Sequence, residues 1–353
     1  MKEYIQFKGN NPFGSQSKML YHIDRVYEYL YKGDTIPIFM EINLTSKCNL
    51  ACEWCISANF NRKDTIKKEP LLKFLKDFKR LGGEAITFSG GGEPTLHPDF
   101  PEIVTKSKEI GLHLGLMTNG VYPAKYNDVI GSNFDWVRFS LDTVDREKYK
   151  KWKGVDKVDQ VLVNIHSLID YPTKVGINCN VYKEHTVQDV LDLYEIKDNT
   201  EIDYLQFRPV LPRYFENEKP YINEEVWNFL DIMNGSDTTN FSNDKLNDIR
   251  FNNLLTFTSC EGHFFEPVLD ANGNLVVCMY HPDDDRFVFG NIYEYEDNLF
   301  ESIWKSDKRK HVIEFVRKFN YKKECQACCK LTEINKFIDF VKHPEWGRDI
   351  HFL

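Results

Sequence analysis

No window of the chain approaches the ~20 consecutive apolar residues that a membrane span needs, and the opening MKEYIQFKGNNPFG has no apolar stretch of the kind a signal peptide carries. Neither a membrane partner nor export is expected, which leaves the cytoplasm as the expected location. A basic excess is also missing. Lys and Arg number 45 against 54 Asp and Glu, a net charge of −9, so there is no overall field to hold a polyanion and nucleic acid is not an expected partner. There is no internal repeat and no low-complexity tract. Ordinary composition, 42% hydrophobic and 28% charged, excludes collagenous, coiled-coil and wholly disordered chains. A length of 353 residues implies two domains or one large domain with an appended module. Cysteine is what the chain has in quantity. Nine of them in a chain without an export signal point to bound metal before disulfides.

The pattern along the chain begins with an amphipathic stretch, MLYHIDRVYEYLY from Met19 to Tyr31, whose three- and four-residue spacing predicts a helix lying on the main domain. From Pro37, six short apolar runs recur at intervals of roughly thirty residues: IFMEINL, EAITFSG, LHLGLMTN, WVRFSLDT, KVGINCNV and DYLQFRPV. Helical stretches separate them. That rhythm predicts an α/β fold of parallel strands, either a partial (β/α)6 barrel or a doubly wound sheet. Then follow a polar connection holding a helix around Val226 to Met233, a hairpin in EPVLDANGNLVVC, and a basic helix from Leu299 to Phe319 that leads into CQACC. The expected organisation is an N-terminal helical extension over 1–36, a barrel over 37–235, a linker over 236–258, a cysteine-bearing module over 259–335 and a tail over 336–353.

Cys48, Cys52 and Cys55 stand as CNLACEWC directly after the first strand, at the end where a barrel builds its site. Three thiolates can hold a 4Fe-4S cubane with one iron left open to a small molecule, and zinc completed by a distant residue is the alternative. The spacing CxxxCxxC with Trp54 before the last cysteine resembles the signature of the radical S-adenosylmethionine enzymes. The second strand ends in TFSGGGEP, where Gly91, Gly92 and Glu93 match that family's GGE motif. The resemblance implies that this backbone and carboxylate hold the methionine amino group of the cofactor. It also makes Trp54 and Ser140 cofactor contacts, with Asp142 reaching cofactor or substrate. Alternation in WVRFSLDT puts Arg138, Ser140 and Asp142 on one face. Asn178 and Arg208 occupy comparable positions on the fifth and sixth strands, with an internal hydrogen-bonding role as the alternative for each. Asn119, in MTNG, reads as a turn residue.

Cys260 and Cys278 flank the hairpin, and Cys325 and Cys328 form a CxxC, a complete four-thiolate set for an iron-sulfur cluster or zinc. The region resembles the SPASM or twitch extension of radical S-adenosylmethionine enzymes. No cysteine follows Cys329, which favours the shorter twitch form with one auxiliary 4Fe-4S cluster. Cys179, on the fifth strand, is expected to be structural.

The resemblance implies two 4Fe-4S clusters and S-adenosylmethionine as cofactors, with a flavodoxin- or ferredoxin-type electron donor. Cys329 adjoins the CxxC and is the expected hydrogen-atom donor to a substrate radical, as in related epimerases, or else a replacement cluster ligand for Cys328. The first expectation is thus epimerisation of a carbohydrate. Oxidation by way of the auxiliary cluster, with Asp142 or His281 as base, is the second. No N-terminal module for gripping a leader peptide is evident, yet modification of a ribosomal peptide stays open. A non-catalytic iron-sulfur or zinc sensor is the reading from outside enzymology.

Overall fold

The structure is a computed structural model that describes residues 16–58, 61–210, 223–236, 241–242, 257–281, 284–325 and 329–343. All six apolar runs are strands: β1 Phe39–Asn43, β2 Ala85–Ser89, β3 His113–Thr118, β4 Trp136–Ser140, β5 Lys174–Val181 and β6 Tyr204–Pro209. They pair in parallel and in sequence order. Sequential order has no point at which the winding reverses, so the doubly wound alternative falls and the barrel type stands.

Two-residue alternation sorts each strand. Met40, Ile42, Phe88, Leu116, Val137, Phe139, Ile177 and Phe207 are buried in the continuous apolar core, together with Leu71, Phe74 and Phe78 of α2 (Lys68–Arg80). Each such side chain contributes roughly 1.5–3 kcal/mol. The opposite face of the strands carries Glu41, Asn43, Ser89, Arg138, Ser140, Asn178, Asn180, Gln206 and Arg208. Register sets Ser140 beside Asn178, Asn178 beside Gln206, and Asn180 beside Arg208. The sheet thus has one apolar face and one polar face, and the polar face is where function belongs.

The C-terminal cysteine region continues this sheet. β8 (Val268–Leu269) pairs in parallel with β1, β9 (Asn274–Val276) runs antiparallel to β8, and β10 (Val288–Asn291) runs antiparallel to β9. At the other edge β7 (Phe241–Ser242) follows β6, which completes one ten-stranded sheet among the described residues. The predicted hairpin turn is present: Asp270 Oδ1 accepts from Asn272 N and Asn274 N at 2.8 and 2.9 Å, and Gly273 takes φ +83°. That left-handed φ is the reason for a glycine there.

Three boundaries differ from expectation. The N-terminal helix is a 3-10 segment, Gln16–His22, followed by α1 over Ile23–Lys32. The basic helix is two helices, Leu299–Trp304 and Asp307–Lys318. Ser306 divides them by accepting from Arg309 N, a helix start that the periodicity does not reveal. Finally, a helix over Thr332–Lys342 runs across the boundary expected at 335. Among the described residues no helix is long and apolar enough to cross a membrane.

Candidate active site

The half-buried thiols of Cys48, Cys52 and Cys55 lie on the loop after β1. That loop is fixed by main-chain bonds to the end of α5 (Arg146–Lys153): Ala51 N donates to Lys153 O and Glu53 N to Trp152 O, both at 2.9 Å. Two side chains aim N–H groups at the sulfurs. Arg62 Nη2 lies 3.4 Å from Cys55 Sγ and Asn119 Nδ2 lies 3.8 Å from Cys48 Sγ. Burial pushes the Cys52 thiol up to about 11, against the opposing charge of Lys153. Trp54 packs edge-on to Trp152 and 4.7 Å from the Tyr182 ring, so it shields one side of the loop.

The GGE run meets this loop. A Cβ on Gly92 would lie 2.2 Å from Lys47 O, and Glu93 N donates to Lys47 O at 2.8 Å. Gly92 is thus required by the close passage of the chain just before Cys48. Gly91 beside it is buried. The Glu93 carboxylate is 2% exposed and accepts from Thr95 N, Thr95 Oγ1, Thr118 Oγ1 and Asn119 N. Four donors use the acceptor sites a carboxylate has. In this structure it braces the ends of β2 and β3, and burial raises its pKa in spite of those donors.

Across the polar face, several groups are unsatisfied by the protein. Asn178 Oδ1 and Asn43 Oδ1 accept nothing, and Arg208 Nε, also buried, has no acceptor. Such atoms are open to a polar partner. Ser140, half-exposed, stands in register with Asn178. Asp142 is different. It lies beyond the end of β4, fully buried, with Oδ2 paired to Lys153 Nζ and Oδ1 accepting from Asn180 N at 2.6 Å. Both oxygens of this carboxylate are thus engaged within the protein.

The second thiol set comprises Cys260, Cys278, Cys325 and Cys329, all half-buried. Burial, then the charge of Cys329, Cys278 and Cys325, raises the Cys260 thiol. Burial and Cys329 together take Cys278 to about 12. Cys329, expected as a hydrogen donor apart from the cluster, therefore stands among the other thiols. Cys328 lies outside the described residues. His281 Nε2 is 3.5 Å from Cys325 Sγ, with its ring stacked on Phe287 at 4.1 Å. Cys179 is fully buried near Asp142 O and His185, as a structural thiol. Among the described residues no three His, Cys, Asp or Glu side chains are grouped so as to hold a metal ion.

Comparison with known proteins gives a match to the radical SAM superfamily model over residues 42–196 and to an iron-sulfur cluster-binding domain, SPASM, over 260–329. The two matches fall on the two thiol sets. The chain carries a radical SAM domain and an SPASM domain.

Among its relatives, molybdenum cofactor biosynthesis protein moc-5 of Caenorhabditis elegans is 26% identical over 299 residues, 78% of this chain and 50% of that protein. A probable GTP 3',8-cyclase of Pyrococcus abyssi is 31% identical over 185 residues, 51% of this chain and 59% of that protein. The chain thus spans about half to three-fifths of the length of these curated relatives. In structure it is similar to SuiB of Streptococcus suis bound to the precursor peptide SuiA, with TM-score 0.65 and 17% identity over 99% of this chain and 83% of that one.

These two domains imply a 4Fe-4S cluster, S-adenosylmethionine and auxiliary iron-sulfur as cofactors. The residues present suit them: clustered thiols, N–H donors aimed at sulfur from Arg62 and Asn119, the His281 ring nitrogen beside Cys325 Sγ, and open polar atoms on the neighbouring strands. Arg62, Asn119 and Lys153 were missed by sequence reasoning. Of these only Asn119 carried a signal, its place at the end of a barrel strand.

Proposed function

We propose that this radical SAM enzyme modifies a peptide. The observation that carries the reading is extent: the likeness to the peptide-bound SuiB structure runs through the barrel and the C-terminal domain, covering 99% of the chain. Carbohydrate epimerisation, the first expectation, gains no support. The relatives described are named for GTP cyclisation, molybdenum cofactor biosynthesis and a precursor-peptide complex, and Cys329 stands among the auxiliary thiols.

In this reading Cys48, Cys52 and Cys55 hold the cluster that binds S-adenosylmethionine, and Cys260, Cys278, Cys325 and Cys329 hold the auxiliary cluster. With these groups bound, reductive cleavage of S-adenosylmethionine supplies a carbon-centred radical that takes a hydrogen atom from substrate. The chain's own residues prepare for this. Arg62 and Asn119 donate to the sulfurs; Asn178 Oδ1 and Arg208 Nε supply one acceptor and one donor for the cofactor's polar groups, with Ser140 beside them; Trp54, Trp152 and Tyr182 keep water from one side of the loop. Electrons come from a flavodoxin- or ferredoxin-type donor.

The test is an anaerobic assay of the reconstituted protein with dithionite and S-adenosylmethionine, comparing synthetic peptide libraries with GTP. Peptides that raise 5'-deoxyadenosine release and themselves change mass support the reading. Stimulation by GTP alone overturns it in favour of nucleotide cyclisation.

A further inference from the structure

Lys153 ends α5 only 3% exposed, an unusual place for an ammonium group. Its Nζ pairs with Asp142 Oδ2 and lies 5.4 Å from the centroid of the Trp54 ring. Its own carbonyl accepts from Ala51 N at 2.9 Å, and a Cβ on Gly154 beside it would lie 3.0 Å from Ala51 Cβ. The residue therefore grips the cysteine loop by its backbone and places a fixed positive charge beside it. The charge is stable: burial works against the ammonium, but Asp142 and Cys52 outweigh it and hold its pKa above the ordinary value.

We propose that Lys153 is an electrostatic positioning residue: its buried ammonium, fixed by Asp142 under Trp54, makes the cluster held by Cys48, Cys52 and Cys55 easier to reduce. The inference rests on the assignment of those three thiols to the S-adenosylmethionine-binding cluster. Reduction moves one electron from a flavodoxin- or ferredoxin-type donor onto the cluster and makes it one unit more negative. A cation held close by in a low-dielectric interior favours that state. Asp142 orients the ammonium and partly offsets it, so the two residues have opposite effects.

The test is a reductive titration of the reconstituted full chain without substrate, dithionite supplying electrons and electron paramagnetic resonance following the signal that changes when S-adenosylmethionine is added. That signal is to be absent from the Cys48→Ala/Cys52→Ala/Cys55→Ala variant. Lys153→Met is expected to make reduction at least tenfold less favourable, a midpoint about 59 mV more negative for one electron. Lys153→Arg stays near wild type, and Asp142→Asn moves the midpoint the other way. Because Lys153→Met leaves a buried carboxylate alone and can harm folding, the Asp142→Asn/Lys153→Met double variant is measured too, with a midpoint between those of the two singles. An unchanged midpoint in Lys153→Met, or shifts of one sign in both single variants, overturns the inference while the signal still depends on the three cysteines. A signal that survives their removal overturns the assignment of the thiols and this inference with it.

Discussion

Lys330 Nζ pairs with Glu41 Oε2 across 289 residues of sequence, joining the residue after Cys329 to the middle of the first barrel strand. The same ammonium lies 2.6 Å from Glu266 Oε1, just before β8. Burial works against its charge, and Glu266 and Glu41 more than restore it. The two thiol sets therefore share one scaffold, through this ion pair and through the sheet that carries β8 beside β1.

Breaking that pair from one side is expected to cost stability. Glu41 is 2% exposed, and Lys330→Met removes its charged partner, for a loss of about 3 kcal/mol. Anaerobic urea denaturation measures it. The Glu41→Gln/Lys330→Met double variant recovers part of the loss, because Glu41 no longer leaves a buried charge alone while Glu266 still lacks its cation.

Gly92→Ala is expected to strip iron from the first thiol set while the second keeps its own. The added Cβ would meet backbone, Lys47 O at 2.2 Å and Ser46 C at 2.6 Å, and backbone one residue before Cys48 cannot yield without moving the loop. Iron per chain is expected to fall by about four, with the auxiliary signal retained.

Cys329→Ala is expected to remove about four irons per chain as well, this time the auxiliary ones. Cys179→Ala, which deletes a fully buried thiol beside His185, leaves iron content unchanged. Full iron in Cys329→Ala would return that residue to the role of a free thiol.

Acid sensitivity is expected from Asp189, which is 2% exposed and accepts from Lys148 Nζ at 2.6 Å, Thr143 Oγ1 at 2.8 Å and Thr186 Oγ1 at 2.7 Å. Burial opposes its charge, but these donors prevail and hold its pKa below the ordinary aspartate value. The folded pKa is therefore the lower one, so the unfolded chain binds the proton first. The stabilisation is present above about pH 4 and is lost as pH falls from there. Asp189→Asn is expected to melt lower than wild type at pH 7, by about 2 kcal/mol, and the gap narrows toward pH 3 in a pH series of thermal melts.

The barrel was legible because parallel strands under helices leave an alternating pattern, and β1 to β6 fall where the apolar runs predict them. Asp142 lies beyond the reach of that alternation. It stands two residues past the strand's end at Ser140, in a loop where Lys153 captures the carboxylate. Asn119 reads as a turn residue and does cap a turn, Val121 N donating to its Oδ1 at 2.8 Å, yet its amide also reaches Cys48 Sγ. The Lys330–Glu41 pair and the joining of β8 to β1 link residues so far apart in sequence that no local pattern could show them. Both cysteine groups stand out in the sequence by their spacing, but the expected fourth member of the second, Cys328, lies outside the described residues, and the company Cys329 keeps required the fold.

The measurement that tests the account most directly is iron and sulfide content together with S-adenosylmethionine turnover under anaerobic reduction, for wild type and for the Cys48→Ala/Cys52→Ala/Cys55→Ala variant. Two separate thiol sets predict about eight irons falling to about four, with 5'-deoxyadenosine formed by wild type alone. Zinc in place of iron, or cleavage that persists without the three cysteines, would contradict it.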